Sequence, residues 1–181
     1  MIHHVRSAAF GAALLLLSAG AVQAADFTLS SPDIADGKSI AERHVFNGFG
    51  CAGGNQAPAL AWSGVPEGTR SLAVTAYDPD APTGSGWWHW VVFNLPPSAD
   101  GLPAGGPVPQ GAIESRTDFG APGYGGPCPP QGHGPHRYVF TVHALKVDAL
   151  PLDADAPAAM VGFFLNANSL GTASLTATYQ R

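Results

Sequence analysis

Short runs of β-forming residues, each closed by turn-forming residues, constrain the fold of this chain more than any other feature. The runs are Asp26 to Leu29, Ser71 to Tyr77, Trp87 to Leu95, Arg137 to Leu145 and Leu175 to Tyr179. They are rich in aromatic and β-branched residues, and Gly, Pro, Asn or Asp lies at their ends. The 23 glycines and 17 prolines supply many turns, while a hydrophobic content of 45% is enough for a core. The pattern predicts a mainly β protein, an antiparallel β-sandwich.

Helical spacing occurs in one segment near the C terminus. Its apolar positions are Met160, Val161, Phe164 and Leu165. Asp155 is a candidate cap, and Pro157 is expected in the first turn. The helix should end near Asn168, ahead of Gly171. The fold class is therefore a β-sandwich with one or two short peripheral helices.

Residues 1–24 have the pattern of a secretory signal peptide. A short segment containing Arg6 precedes the apolar run from Ala8 to Val22, and Ala24 stands before the expected cleavage site. The apolar run has about fifteen residues, fewer than the ~20 of a membrane-spanning helix, so an uncleaved anchor is the less favoured alternative. We therefore expect residues 25–181 to form one exported domain, periplasmic or secreted, without stable membrane insertion.

The cysteine count and the net charge limit the kinds of covalent link, partner and metal site that the chain can have. Cys51 and Cys128 are an even pair in a chain expected to be exported, which favours a disulfide over two free thiols. The formal net charge of −5 argues against a nucleic-acid partner. Two cysteines cannot form a structural zinc site and there is no HExxH motif, so no metal or cofactor is expected, although distant ligands could converge.

Residues with binding chemistry lie at the ends of three predicted strands. The segment 78–82 reads Asp-Pro-Asp-Ala-Pro and is stiffened by its prolines. In the strand from Trp87, alternation predicts that His89 shares a face with Trp87, Val91 and Phe93. At the third strand, His136 and Tyr138 share a face opposite Arg137. Taken singly, these segments also fit an Asx turn, a core histidine bonded to a backbone carbonyl, and a surface loop.

Together, these segments resemble the signature of the phosphatidylethanolamine-binding (Raf-kinase-inhibitor-like) family, in its bacterial exported branch. The matching segments are Asp78-Pro79-Asp80-Ala81-Pro82, Gly86-Trp87-Trp88-His89-Trp90, Gly126-Pro127-Cys128-Pro129-Pro130 and His136-Arg137-Tyr138. The resemblance covers Phe27 to Arg181, with departures at Ala57 and Thr117, where Ser and Asn are usual. It implies an antiparallel β-sandwich with a small anion-accepting cavity. It also implies ligand-binding roles for Asp78, Asp80, Trp87, His89, Pro129, Pro130, His136 and Tyr138.

We expect the protein to bind a small anionic or phosphorylated ligand without catalysis. Phosphate, a nucleotide, a phospholipid headgroup and a carboxylate are all compatible with these residues. His89 and His136 are expected to carry positive charge, favoured by Asp78 or Asp80, and the remaining carboxylate capacity could receive an ammonium group. Hydrolysis is less favoured because there is no GxSxG motif. The alternative is an inhibitor or adaptor that contacts a kinase, protease or envelope partner through the long segment Pro96 to Gly134.

Overall fold

The computed structural model describes residues 26–181 of the chain. The predicted signal peptide, residues 1–24, lies outside the described residues. In chain order the elements are β1 (Thr28–Ser30), a 3-10 helix (Glu42–His44), β2 (Asn47–Gly48), β3 (Cys51–Ala52), β4 (Leu60–Ser63), β5 (Ser71–Asp78), β6 (Trp87–Leu95), β7 (Gly101–Leu102), β8 (Ile113–Glu114), β9 (His136–Leu145), α1 (Ala158–Asn168) and β10 (Ser169–Tyr179). Within residues 26–181, no helix is both long enough and apolar enough to cross a membrane.

Two antiparallel sheets pack against each other, and the single α-helix of the described region, α1, covers the outer face of the larger one. The larger sheet has the order β10-β9-β5-β6-β8, and the smaller has the order β1-β4-β7. Between the sheets, Trp62 and Leu102 share a core with Phe140. On the other face, Phe93 packs with Val161 of α1. The predicted fold class, a β-sandwich with a peripheral helix, is confirmed.

The central strand β5 is buried on both faces, which explains why its sequence is so apolar. Every residue from Ser71 to Ala76 is buried. One face of the strand meets the smaller sheet and the other meets α1, so polar residues have no solvated side to occupy.

The last strand begins six residues earlier than the sequence predicts. Residues 169–174 contain serine, glycine and alanine, which are weak strand formers. They nevertheless pair with β9, from Ser169 opposite Leu145 to Ser174 opposite Thr141, with an irregularity before Gly171. Pairing with an already formed neighbour overrides the weak local preference.

The helix begins at Ala158, two residues later than a cap at Asp155 would place it, and the predicted cap is not used. Pro157 occupies the N-cap position instead of the first turn, and no side chain caps the helix. The backbone N–H of Asp155 instead donates to the Asp153 carboxylate in the preceding turn. The helix ends at Asn168, where it was expected to end.

Strand β6 contains an extra residue at His89. Ala76 of β5 lies opposite Trp90, but the next residue, Tyr77, lies opposite Trp88, so His89 has no partner position on β5. Such a bulge breaks the alternation of side chains along a strand and redirects the side chain of the extra residue. Its effect on the position of His89 is described with the site.

Candidate functional site

A cavity of 160 Å³ lies at one end of the larger sheet. Because β5 runs antiparallel to both neighbours, its C-terminal end meets the N-terminal ends of β6 and β9. Asp78, Trp87 and His136 are therefore brought together from three strands. The cavity is lined by Phe49, Asp78, Ala81, Pro82, Thr83, Trp87, His89, Phe119, Cys128, Pro129, Pro130, His136 and Tyr138. Seven of the eight predicted ligand-binding residues are in this lining; Asp80 is not.

Asp78 and His136 are hydrogen-bonded inside the cavity wall. The Nδ1 atom of His136 lies 2.7 Å from Oδ2 of Asp78, and each side chain is only 4% exposed. The other carboxylate oxygen, Oδ1, accepts a hydrogen bond of 2.8 Å from the backbone N–H of Asp80. Both carboxylate oxygens therefore have donors. Each oxygen has one of its lone pairs engaged by the protein, and the predicted role of the remaining capacity for an ammonium group stays a prediction.

The second ring nitrogen of His136 lies close to another histidine. Its Nε2 atom is 3.2 Å from Nδ1 of His133. With Nδ1 of His136 directed at a carboxylate, protonation of His136 makes Nε2 a donor as well. A ligand that accepts from this nitrogen would compete with His133, which lies in an exposed loop.

His89 faces the cavity because of the bulge, and this corrects the predicted face. Its ring meets Tyr138 edge-on at 5.1 Å between centroids. Val91 and Phe93, predicted on the same face, instead pack under α1. The strict alternation assumed from sequence fails at the extra residue, because two consecutive side chains, His89 and Trp90, both contact the side of the sheet that carries Tyr138.

His89 does not carry the charge that the sequence hypothesis assigned to it. Burial lowers the pKa of His89 from its usual 6.5 to about 4, although the Gly125 carbonyl and the charge of Asp78 act in the opposite direction. The ring is therefore neutral at pH 7. Its Nδ1 atom lies 2.7 Å from the Gly125 oxygen, and since a carbonyl only accepts, Nδ1 carries the proton and Nε2 is an acceptor.

Two further donors in the cavity wall are buried without a partner. Nε1 of Trp87 and the hydroxyl of Tyr138 have no hydrogen-bond partner among residues 26–181. Buried polar groups are nearly always paired, so each of these two calls for an explanation. Burial, followed by the nearby charge of Asp78, raises the pKa of Tyr138 well above its usual value. The hydroxyl therefore keeps its proton and can donate it in a hydrogen bond.

Asp80 is not in the cavity lining and pairs with Arg137, so its predicted contact with the ligand stays a prediction. Its oxygens accept from the Arg137 guanidinium at 2.7 and 2.9 Å and from the Arg137 backbone N–H at 2.9 Å. The hydrogen bond from the Arg137 side chain lowers the pKa of Asp80 to about 2, against the opposing effect of burial. Arg137 was predicted on the face of β9 opposite His136 and Tyr138, and its pairing with Asp80 agrees with that prediction. Asp80 thereby fixes the position of the loop that follows Asp78.

The segment from Pro96 to Gly134 is ordered and supplies part of the cavity wall. At its C-terminal part, Gly126 packs so closely that a Cβ atom there would lie 2.1 Å from the His44 carbonyl oxygen. The N–H of Gly126 donates to the side chain of Asn55 at 2.8 Å. Cys128 is bonded to Cys51 as a disulfide with a Cα separation of 6.0 Å. The predicted cysteine pairing is thus present, and it fixes this wall to the β2–β3 hairpin.

Sequence reasoning did not identify six residues of the lining: Phe49, Ala81, Pro82, Thr83, Phe119 and Cys128. Three of them belong to the segments whose pattern was used for the prediction. Phe49 had a weaker signal, an aromatic residue between two glycines in a turn. Among residues 26–181, no group of three or more His, Cys, Asp and Glu side chains is placed to hold a metal ion.

A sequence model of one family, described as phosphatidylethanolamine-binding protein, matches residues 30–180. The chain belongs to this family. It is 52% identical to the UPF0098 protein YbcL of Escherichia coli, over 87% of this chain and 90% of YbcL. It is 53% identical to the UPF0098 protein YbhB of the same organism, over 83% of this chain and 98% of YbhB.

A solved structure of this family superposes closely on the chain. It is the crystal structure of E. coli YbcL, described as a new member of the mammalian PEBP family. The TM-score is 0.85, and the match covers 87% of this chain and 99% of the YbcL chain. The predicted family resemblance is therefore confirmed.

Proposed function

We propose that the cavity binds the anionic group of a small ligand, such as a phosphate, a phospholipid headgroup or a carboxylate, and that the protein acts by binding it. The observation that carries the proposal is the pair of buried donors on Trp87 and Tyr138, which have no acceptor among the described residues. An anion in the cavity would accept from both. It would also accept from Nε2 of a protonated His136, whose ring is held by Asp78.

The charges around the cavity fit an anion better than a cation. Asp78 is the one carboxylate in the lining, and both of its oxygens already accept hydrogen bonds. A protonated His136 would offset its charge. Neutral His89 adds an acceptor at Nε2, which suits a ligand oxygen that still carries a proton. The cavity thus presents several donors to one ligand group, with one acceptor available beside them.

The hydrogen bonds of His136 favour binding over nucleophilic catalysis. Among residues 26–181, its ring nitrogens are bonded to Asp78 and His133, and neither partner is a hydroxyl or thiol nucleophile. The hydroxyl of Thr83, which also lines the cavity, donates to the Gly86 carbonyl instead. Nucleophilic catalysis normally needs the base within hydrogen-bond reach of the nucleophile. Assays of phosphate-ester and carboxylic-ester turnover should therefore give the same background rate for the wild type and an Asp78→Ala/His136→Ala double variant.

The binding proposal is tested by removing one hydroxyl. In Tyr138→Phe, the anion loses one donor, and we expect inorganic phosphate to bind about tenfold more weakly at pH 7 by isothermal titration calorimetry, since such a bond contributes about 1–2 kcal/mol. Stability should not fall, because the hydroxyl has no partner to lose. Tyr179→Phe is the matched control, since that hydroxyl bonds to Glu42 away from the cavity. Equal phosphate affinity in the wild type and Tyr138→Phe would contradict the proposal.

We further infer that the protein is exported. The Cys51–Cys128 disulfide supports this inference, because structural disulfides form and persist mainly in oxidising compartments. The signal-peptide pattern of residues 1–24 supports it independently. N-terminal sequencing of the protein from cell fractions should find a periplasmic or secreted form that begins near Ala25. A cytoplasmic form that keeps residues 1–24 would overturn the inference.

A further inference from the structure

An aromatic side chain stands exposed at the mouth of the cavity. Phe49 is 67% exposed, at the tip of the β2–β3 hairpin, and it lines the cavity with His136 and Tyr138. Its backbone is in the left-handed region, with φ of 54°. This conformation costs a residue with a side chain about 1 kcal/mol. An exposed phenylalanine gains little stability from burial, and at the edge of a cavity its free surface is available to a ligand.

Three restraints hold the hairpin tip against the segment that contains Cys128 and Pro129. The guanidinium of Arg181 donates to the carbonyl oxygens of Phe49 and Gly50, at 3.3 and 3.2 Å. The same guanidinium donates to the carbonyl oxygen of Pro129 at 2.5 Å. The Cys51–Cys128 disulfide joins the same two segments. The tip is therefore fixed in place, unlike most glycine-rich hairpin ends.

Phe49 continues a row of rings that leads into the cavity. Its ring is stacked on Phe119, with centroids 5.9 Å apart and planes 18° apart. Phe119 in turn meets the ring of Trp87 edge-on at 5.4 Å. Trp87 carries one of the two unpartnered donors. An apolar surface thus runs without interruption from the solvent to the group proposed to bind the anion.

We propose that Phe49 and Phe119 form a subsite for an apolar, preferentially aromatic, substituent attached to the anionic group. This inference rests on the proposed function, because the anion fixes the ligand beside the rings. The ligand class is then a phosphate monoester or related anion with an aryl group, in preference to inorganic phosphate. A flat ring packed against Phe49 and Phe119 would lie beside the anionic group proposed to be bound by Trp87, His136 and Tyr138, since all five residues line one cavity.

The test compares three probes at pH 7 by isothermal titration calorimetry: inorganic phosphate, methyl phosphate and phenyl phosphate. For the wild-type protein, phenyl phosphate should bind about tenfold more tightly than methyl phosphate, a difference of about 1.4 kcal/mol. In Phe49→Ala the phenyl-to-methyl ratio should fall below about threefold. Phe163→Ala is the matched control, because Phe163 is 69% exposed but lies on α1, outside the cavity.

Each other outcome overturns the subsite in a distinguishable way. If methyl and phenyl phosphate bind equally to the wild type, the subsite fails and the anion site stands; if none of the three probes binds, the proposed function fails as well.

Phe49 could instead contact a membrane. That reading would prevail if Phe49→Ala reduced sedimentation with phosphatidylethanolamine and phosphatidylglycerol vesicles but left the phenyl-to-methyl ratio unchanged. Even if Phe49→Ala folds poorly, the ratio of the phenyl phosphate and methyl phosphate affinities of the wild-type protein still tests the subsite.

Discussion

The carboxylate of Asp78 holds the imidazole of His136 through a 2.7 Å hydrogen bond that is almost completely shielded from solvent. The two residues come from the end of β5 and the start of β9, so this bond joins the cavity wall to the central sheet. It fixes the ring orientation, with Nε2 left for the outer loop or for a ligand.

Replacing Asp78 by asparagine should weaken both the fold and the site. Asparagine keeps the shape of aspartate but lacks its charge. Its NH2 group cannot accept a hydrogen bond, so either His136 or the Asp80 N–H loses its acceptor. We expect a loss of about 1–3 kcal/mol in the free energy of unfolding, measured by urea denaturation at pH 7. Asp148→Asn, at an exposed carboxylate that pairs with Arg70, is the control and should change little. Equal losses in the two variants would count against a special role for the buried bond.

Replacing Asp80 by asparagine should leave anion binding almost unchanged. Its carboxylate is bonded to Arg137 on the side away from the cavity, so its removal takes no group from the ligand. We expect the phosphate affinity to change by less than about threefold, whereas Asp78→Asn should reduce it by about tenfold or more. Titration calorimetry on both variants makes the comparison. A large loss of phosphate affinity in Asp80→Asn would support the direct ligand role that the family resemblance implies for Asp80.

Stability should fall as the pH is lowered from 6.5 to 4. Burial lowers the pKa of both His89 and His143 from 6.5 to about 4. In this window the unfolded chain is protonated at both residues and the folded chain at neither, so unfolding takes up protons and acid favours it. Each histidine contributes up to about 1.4 kcal/mol per pH unit.

His143→Gln isolates one of these two contributions. Urea denaturation at several pH values should show a slope of stability against pH about half as steep as that of the wild type, if the two histidines dominate the window. The lowered pKa of Asp80, about 2 in the folded protein, has most of its effect below pH 3.8 and so adds to the slope only at the acid end of the window. An unchanged slope would mean that His143 is not held neutral by burial.

Adding a methyl group at Gly126 should disrupt the loop that forms one wall of the cavity. The Cβ would meet the His44 carbonyl oxygen at 2.1 Å, and backbone atoms cannot move aside cheaply. We expect Gly126→Ala to cost about 2–4 kcal/mol in the free energy of unfolding and to weaken phosphate binding, because Pro129 and Pro130 would shift. Gly134→Ala is the control, since nothing lies within 4 Å of its added Cβ. Thermal and urea denaturation of both variants provide the measurement.

Much of the fold was predictable because its causes are local. Alternating β-formers gave β6 its bounds and β5 and β9 theirs to within one residue, and turn residues marked where each ends. The beginning of β10 was missed because its first residues are strand-like only when paired with β9. The family resemblance supplied the expected ligand-binding roles that the pattern alone left open, and these roles stay predictions. The alternative function as an inhibitor or adaptor stays a prediction.

Strand periodicity and turn chemistry are properties of neighbouring residues, so residue order is enough to place Asp78, His136 and Tyr138 near strand ends. The arrangement of these side chains depends on contacts that form only in the folded chain. The extra residue at His89 depends on the register between two strands, and its neutral state depends on burial by segments far along the chain. The pairing of Asp80 with Arg137 and the fixed position of Phe49 likewise depend on contacts across the fold. Charge state and side-chain direction follow from three-dimensional surroundings, which residue order specifies only through the complete folded chain.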